Sequence, residues 1–137
     1  MHRLVIDTNV FVSSIIGKSF PHHVVNLVLA RKVEILISTE LLEEYSSVFN
    51  RPKFTKYPNF QAQAFSLINK LRRAGLVIQP NISLGILVDH DDNKFLDLAV
   101  TANADFLITG NTKHFPFGKF ENTEIISPQK YWNNYWK

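Results

Sequence analysis

A short apolar run that ends in a carboxylate is the feature that most constrains this chain. The run Leu4-Val5-Ile6 is too short for a helix and rich in β-branched residues, so it predicts a strand buried on both faces. Asp7 then stands at the carboxyl end of this strand, the edge at which ligands and chemistry collect in open parallel sheets. We expect Thr8 or Asn9 to cap the helix that begins with Val10.

The rest of the chain alternates strand-like runs with helical patterns. Further strands are predicted at about 33–37, 76–78, 105–109 and 123–126, and helices at about 9–16, 22–32, 39–49, 59–74, 92–104 and from Pro128 onward. This alternation predicts a three-layer α/β/α fold around a central, mostly parallel sheet of four to five strands. Because the 137 residues contain no repeat and no linker, we expect one domain over residues 1–137.

The composition is that of an ordinary globular protein, with 45% hydrophobic and 20% charged residues. No apolar run approaches the roughly 20 residues that cross a bilayer, and the first residues lack a signal-peptide pattern, so we expect a cytoplasmic protein with no membrane partner. The lack of cysteine excludes disulfides and thiolate zinc sites. The net charge of +3 is compatible with a polyanionic partner, although acidic residues cluster at 89–92.

Acidic or amide side chains are expected at four places along one edge of this sheet. Two places directly follow strands, at Asp7 and at the turn Thr109-Gly110-Asn111. The third is the helix after the second strand, where Glu44 flanks the apolar stripe near the helix start. The fourth is Asp89-His90-Asp91-Asp92, which precedes a helix that is apolar almost all round and therefore buried.

Converging carboxylates favour a cation site. Hard divalent cations prefer oxygen ligands, and Mg²⁺ is usually held by one or two carboxylates, water and substrate phosphates. Acids that converge repel one another strongly unless a cation neutralises them. One or two bound metals would then activate water and stabilise the charge that develops during phosphodiester hydrolysis. The cofactor that this pattern favours is Mg²⁺ or Mn²⁺.

Five segments in fixed order carry a family resemblance, namely VIDTNVF (5–11), ISTELLEEY (37–45), RPKF (51–54), DNKFLDLA (92–99) and ADFLITGN (104–111), the last followed by His114-Phe115. Together they resemble the PIN-domain nucleases, and most of all the toxin components of toxin–antitoxin pairs, the VapC-like group. The resemblance spans nearly the whole chain. It implies a metal-dependent endoribonuclease that acts on RNA, is inhibited by a small antitoxin protein covering the acidic site, and forms a homodimer.

The resemblance also implies the site residues. It places Asp7, Glu44 and Asp92 in the acidic site as metal ligands. The family's fourth acid usually follows a Thr-Gly or Thr-x pair, and this chain has Asn111 there, an amide without charge. Asp97, about one and a half turns along the buried helix, would compensate if it points inward.

Each acid also has a simpler explanation. Asp7 is then only a helix cap after a strand. Glu44 is then a solvated helix acid paired with a nearby base, and Glu40 and Glu43 are the alternative site residues. Asp92 is then only a helix cap, although we expect Asp91 to be the cap and Asp92 the ligand.

Supporting roles are expected for three polar residues and four basic ones. Asn9 orients Asp7 or caps the helix, Thr109 bonds to a carboxylate or to water, and Asp97 lies either in the site or in a pair with a base. RNA phosphates are expected to meet Arg51, Lys53, Lys113 and His114. Surface solubility explains Arg51, Lys53 and Lys113 equally well, and an exposed loop position is the better explanation of His114.

Two other classes of function fit parts of the pattern. A non-catalytic RNA-binding or regulatory module that kept the fold would explain Asn111, whereas the intact set of three acids favours a nuclease. A phosphatase or receiver-like domain would use Asp7 as phosphoryl acceptor, but the phosphatase needs a second aspartate where this chain has Asn9. We therefore expect an endoribonuclease that hydrolyses RNA phosphodiester bonds with metal-activated water.

Overall fold

The chain forms six strands and six α-helices in near alternation, and the computed structural model describes all residues, 1–137. The strands are β1 Arg3–Ile6, β2 Glu34–Ile37, β3 Leu76–Val77, β4 Phe106–Ile108, β5 Lys119–Phe120 and β6 Thr123–Ile126. The helices are α1 Thr8–Ile16, α2 Phe20–Leu29, α3 Thr39–Phe49, α4 Phe60–Ala74, α5 His90–Thr101 and α6 Pro128–Tyr135. Two short 3₁₀ helices lie at Pro52–Phe54 and Thr112–His114.

The six strands form one sheet in the order β3-β2-β1-β4-β6-β5. All neighbouring pairs are parallel except β5 and β6. Strand β1 lies in the interior, where Leu4 is in register with Ile35 of β2 on one side and with Phe106 of β4 on the other. Because parallel strands end at the same edge, the residues that follow β1, β2 and β4 are brought close together.

The core lies between this sheet and the helices that flank it. The side chains of Leu4, Val5 and Ile6 have no exposed surface, as expected of a parallel strand covered on both faces. Helix α5 packs against β1, β2 and β4, and α4 packs against β2, while α2 contacts α1, α4 and α6. None of the six helices has both the length and the apolar character that crossing a bilayer requires.

Polar side chains fix the starts of three helices. Ser38, Asp89 and Ser127 each precede a helix and accept a backbone N–H from its first turn, at 3.1, 2.9 and 3.2 Å. The caps at Ser38 and Asp89 begin α3 and α5, the two helices that carry the candidate glutamate and aspartates.

An aromatic cluster at the amino ends of the parallel strands joins α6 to the start of β1. The Tyr131 hydroxyl lies 2.8 Å from Nδ1 of His2 and accepts a hydrogen bond of 3.0 Å from Nε1 of Trp136. The His2 ring also contacts the Phe106 ring edge-on, with centroids 5.0 Å apart, at the amino end of β4. Tyr131 and Trp136 therefore belong to a packed cluster.

The predicted α/β fold with a central, mostly parallel sheet flanked by helices is confirmed, with six strands instead of four to five. The additional strand, β5, has only two residues, Lys119 and Phe120, which is too short to leave a hydrophobic period in the sequence. It pairs antiparallel with β6 across a turn in which Glu121 has a φ of 52°.

Several predicted helix boundaries are wrong. Asp7, in extended conformation, is the cap of α1, because Thr8 already belongs to the helix. Asp89, and not Asp91, caps α5, since its carboxylate accepts the Asp91 N–H. Helix α2 ends at Leu29, earlier than expected, and the chain turns at Arg31, whose φ is 58°.

Gly75 provides a test of the packing between α4 and β2. A Cβ at this position would lie 2.7 Å from the Leu71 carbonyl oxygen and 2.7 Å from Cδ1 of Ile37. We expect Gly75→Ala to lower the free energy of unfolding by about 1–3 kcal/mol, because backbone and a buried side chain must both shift. Urea unfolding measures the change. Gly118→Ala is the matched control, since no atom lies within 4 Å of its added Cβ; equal stability of the two variants would contradict the packing described.

Candidate active site

A cleft of about 220 Å³ opens at the carboxyl edge of the sheet. It is lined by Asp7, Thr8, Asn9, Glu44, Val48, Arg51, Asp89, Asp91, Asp92, Phe95, Asn111 and His114. Five of these residues are acidic, and they come from the end of β1, from α3 and from the start of α5. The fold therefore collects charge at this edge from segments that are far apart in the sequence.

Asp7 is the most buried of these acids, with 5% of its surface exposed. Its Oδ2 accepts a hydrogen bond of 2.7 Å from the Thr109 hydroxyl, and that hydroxyl accepts the Asn111 N–H at 3.0 Å. The Asp7 N–H donates to the Ile108 carbonyl at 2.9 Å. The pairing of β1 with β4 thus fixes both the backbone and the carboxylate of Asp7.

Tyr45 fixes the position of α3 relative to β1. Its hydroxyl, fully buried, donates a hydrogen bond of 2.6 Å to the carbonyl oxygen of Ile6, the residue before Asp7. The Tyr45 ring also packs edge-on against Phe11, with centroids 4.9 Å apart. Because Glu44 is the neighbour of Tyr45, this bond helps to hold the Glu44 carboxylate near Asp7.

Both carboxylate oxygens of Glu44 have partners. Oε1 lies 2.9 Å from Nζ of Lys94, and Oε2 accepts a hydrogen bond of 3.3 Å from the Thr8 hydroxyl. Nζ of Lys94 is also 3.9 Å from Oδ1 of Asp91. Burial lowers the pKa of Lys94, but its hydrogen bond to Glu44 and the surrounding acids outweigh this, so the pKa is raised. Lys94 therefore supplies a permanent positive charge beside the cleft.

Asp92 lies on the opposite side of the cleft, on α5, with 7% of its surface exposed. Its Oδ2 is 3.2 Å from Nδ1 of His114. Ligand atoms of Asp89, Asp92 and His114 all lie within 4.8 Å of one another. These three side chains could hold a metal ion; Asp7 and Glu44 line the same cleft but do not belong to this close group.

Burial and repulsion from nearby acids raise the free-energy cost of ionising the two most buried carboxylates, those of Asp7 and Asp92. Burial raises the pKa of Asp7, hydrogen bonds from Thr109 and from backbone amides oppose the rise, and the charge of Glu44 adds to it. Burial also raises the pKa of Asp92, and the charges of Asp7 and Asp89 add to the rise, while His114 opposes it. Such a donor set of hard oxygen atoms, short of positive charge, suits a divalent cation.

The structure brings most of the predicted site residues together. Asp7, Glu44, Asp92 and Asn111 all line the cleft, with Asn9 beside them. Thr109 bonds to a carboxylate as expected. The alternative acids Glu40 and Glu43 are exposed and do not line the cleft.

Asp97 does not join the site. Its Oδ1 accepts the Leu84 N–H at 2.9 Å, so the side chain holds the loop before α5 and does not point into the cleft. The hydrophobic period of a helix shows which residues are buried, but it does not show whether Asp97 faces the cleft or the loop that contains Leu84. The expected compensation of Asn111 by Asp97 is therefore wrong.

The four expected RNA-binding residues separate into two pairs. Arg51 and His114 line the cleft. Lys53 and Lys113 are exposed outside it, and Nζ of Lys53 lies 5.2 Å from the centroid of the Phe54 ring.

Lys94 is the site residue that sequence reasoning missed. Its signal was present, because it is the only lysine or arginine in α5 and follows Asp92 by two residues. The simpler explanation of Glu44, a helix acid paired with a nearby base, correctly describes its partner, but the pair stands at the wall of the acidic cleft.

Comparison with known proteins decides the family. Residues 3–113 match the family model described as PIN domain. The chain belongs to the PIN domain family. This PIN domain is 30% identical over 110 residues to an uncharacterized protein of Methanocaldococcus jannaschii, a match that covers 80% of this chain and 70% of the relative. The resemblance seen in the sequence is thus confirmed at the level of the family.

A solved structure shares the fold. One chain of the crystal structure of VapBC2 from Rickettsia felis, bound to a DNA fragment from their promoter, superimposes with a TM-score of 0.59 at 18% identity. The match covers 91% of this PIN domain and 98% of that chain. At this identity the likeness concerns the architecture.

The buried charge of Asp7 predicts how stability depends on pH. Because its folded pKa is raised, charging Asp7 opposes folding, and this cost develops as the pH rises from the unfolded pKa of about 3.9 through the folded pKa. We expect metal-free Asp7→Asn to have a higher Tm than the wild type at pH 7. The difference should shrink toward pH 4 or below, where the wild-type carboxyl is neutral. Thermal unfolding across this pH range, in the presence of a chelator, measures it.

Glu43→Gln is the matched control for that experiment. Glu43 is an exposed acid on α3, next to Glu44 but outside the cleft. Its variant should follow the wild-type profile. A Tm of Asp7→Asn at or below the wild-type value at pH 7 would show that the buried charge is not the destabilising factor described.

The Lys94–Glu44 pair predicts a strong coupling between two substitutions. Lys94→Met leaves Glu44 uncompensated beside Asp7, so we expect a loss of about 1–3 kcal/mol, between the values for exposed and fully buried ion pairs. The double variant Lys94→Met with Glu44→Gln should recover most of this loss. Urea unfolding of the metal-free proteins gives the coupling energy. Additive losses would mean that the two side chains do not act as a pair.

Proposed function

We propose that this PIN domain is a metal-dependent endoribonuclease and the toxin component of a toxin–antitoxin pair. One observation carries the proposal, namely that Asp7, Glu44 and Asp92, from three separate segments, line a single cleft at the carboxyl edge of the sheet. Structural ion pairs need opposite charge, whereas this cleft gathers five acids against two cations, Arg51 at its wall and Lys94 beside it. Such an excess of acid is expected of a cation site.

Mg²⁺ or Mn²⁺ fits the chemistry of these residues. Asp7 and Asp92 would be the main ligands, with Glu44 as a third, bound directly or through water. When bound, the cation supplies the acidity that activates water and the positive charge that stabilises the phosphodiester as it is attacked. The pKa of each aspartate is raised in the absence of the cation, as expected of buried carboxylates that lack a neighbouring positive charge.

The remaining residues orient these ligands and the RNA. The Thr109 hydroxyl holds the Asp7 carboxylate in one orientation, and Lys94 holds Glu44. Arg51 and His114, at the wall of the cleft, are placed to bind phosphates of an incoming strand. Asn111 contributes a neutral amide that can bond to the substrate or to water.

A toxin of this kind is expected to have specific protein partners. The VapBC2 structure shares the fold of this PIN domain, and its name is that of a pair. We infer a small antitoxin protein that covers the acidic cleft, a homodimer of this chain, and a cytoplasmic location where RNA is the substrate. A small reading frame beside this one, whose product co-purifies and blocks cleavage, would support this arrangement.

Asn111 favours a second candidate function, a non-catalytic RNA-binding or regulatory module. The amide stands where an acid was expected, and Glu44 already has a protein cation. Such a module would bind RNA without cleaving it. Three intact acids in one cleft favour the nuclease.

Cleavage of mixed RNA tests the proposal. The wild type should cleave with Mn²⁺ or Mg²⁺ and stop when the metal is chelated. Asp7→Asn and Asp92→Asn should each lower the rate by about 100-fold or more, because each removes a charged ligand. Glu43→Gln, the exposed neighbour of Glu44, should retain wild-type activity.

The same assay separates the alternatives. Equal, metal-independent cleavage by the wild type and Asp7→Asn would rule out the nuclease site and point to a contaminating enzyme. RNA binding without cleavage, together with no binding of divalent metal in a calorimetric titration, would favour the regulatory module.

A further inference from the structure

A second cavity of about 420 Å³ adjoins the acidic cleft. Asn9 and Asn111 line both, so they form the wall between the two spaces. The second cavity extends from this wall to the start of α2, at Phe20, and to the start of α6, at Gln129. A strand of RNA with one phosphate in the acidic cleft would have its next nucleotide within reach of this cavity.

The cavity is polar but carries no charge. None of its lining residues is a lysine, arginine, histidine, aspartate or glutamate, although one residue in five of the chain is charged. The wall offers the side-chain amides of Asn9, Asn111 and Gln129 and the hydroxyl of Ser13. Asn111 bonds within the protein only through its backbone, whose N–H donates to Thr109 and whose carbonyl accepts from the His114 N–H, which leaves its side-chain amide available.

The residues that line the cavity include one aromatic ring. The Phe20 ring is half-buried, and its aromatic neighbour is His23, whose ring it meets edge-on with centroids 6.2 Å apart. Two prolines lie beside the cavity as well. Aromatic and proline rings of this kind provide a stacking surface for a planar group.

We propose that this cavity binds one nucleobase of the RNA strand, next to the phosphate held in the acidic cleft. The cavity has no cationic side chain to neutralise a phosphate. A nucleobase is neutral and planar, with donors and acceptors along its edge, which amides can read while a ring stacks on its face. The volume is within the range of small-ligand sites. This inference rests on the proposed ribonuclease function and adds to it a residue set that selects the base.

Binding of free nucleosides tests the cavity without any need for cleavage. The side-chain amide signals of Asn9, Asn111 and Gln129 are followed by NMR during titration with adenosine, guanosine, cytidine and uridine in turn. At least one nucleoside should shift these signals, and inorganic phosphate should not. Phe20→Ala should weaken the binding by about tenfold through loss of stacking.

Phe65→Ala is the matched control for that titration. Phe65 is 72% exposed on α4 and does not line the cavity, so its loss should leave nucleoside binding unchanged. The proposal is overturned if no nucleoside shifts the three amides, if phosphate shifts them equally, or if the Phe20 and Phe65 variants bind alike.

Cleavage of RNA oligonucleotides that differ in one base beside the cut separates this inference from the ribonuclease proposal. The wild type should prefer certain bases at one position, and Gln129→Glu should change that preference about tenfold, whereas Gln63→Glu on α4 should not. Unchanged preference with intact cleavage, together with no nucleoside shifts, overturns the base site alone. Nucleoside binding without any cleavage supports the base site and contradicts the ribonuclease.

Discussion

The parallel pairing of β1 between β2 and β4 is the constraint on which the rest of the structure depends. It brings the ends of three strands to one edge, so that Asp7 after β1 meets Thr109 after β4, 102 residues away in the sequence, while α3 after β2 carries Glu44 to the same cleft. Two buried hydrogen bonds then set the details: Thr109 holds the Asp7 carboxylate, and Tyr45 holds α3 against the carbonyl of Ile6. Both bonds connect elements that the sheet has already brought together.

The site is assembled at the expense of stability. Burial raises the pKa of both Asp7 and Asp92, with a further rise from the charge of Glu44 at Asp7 and from the charge of Asp7 at Asp92, and neither has a basic partner as strong as the one that Lys94 provides for Glu44. Lys94 thus neutralises one of these three acids, and Asp7 and Asp92 remain without a comparable partner. Because Asn111 is an uncharged amide where a fourth acid was expected, a bound metal ion would have less negative charge to neutralise than with four acids.

The sequence predicted the parts of the fold that have a local signature, and it failed where the outcome depends on packing between distant elements. Asp7 follows a buried strand and Asp92 lies in the first turn of a buried helix, so both could be placed at the edge from their neighbours alone. The direction of Asp97 toward Leu84, the reach of Lys94 to Glu44, and the uncharged cavity beside Asn111 depend on how helices sit against one another. Two-residue strands such as β5 are too short to show the alternation of hydrophobic and polar residues from which strands are predicted.

The contact of His2 with Tyr131 and Trp136 has a practical consequence for handling the molecule. It joins residues near both ends of the described chain at the amino edge of the sheet, the side away from the cleft. Polypeptide added before residue 1 or after residue 137 would leave the molecule on that far side. Affinity tags, fluorescent fusions or surface tethers at either position would therefore leave the acidic cleft and its neighbouring cavity open to a long polymer.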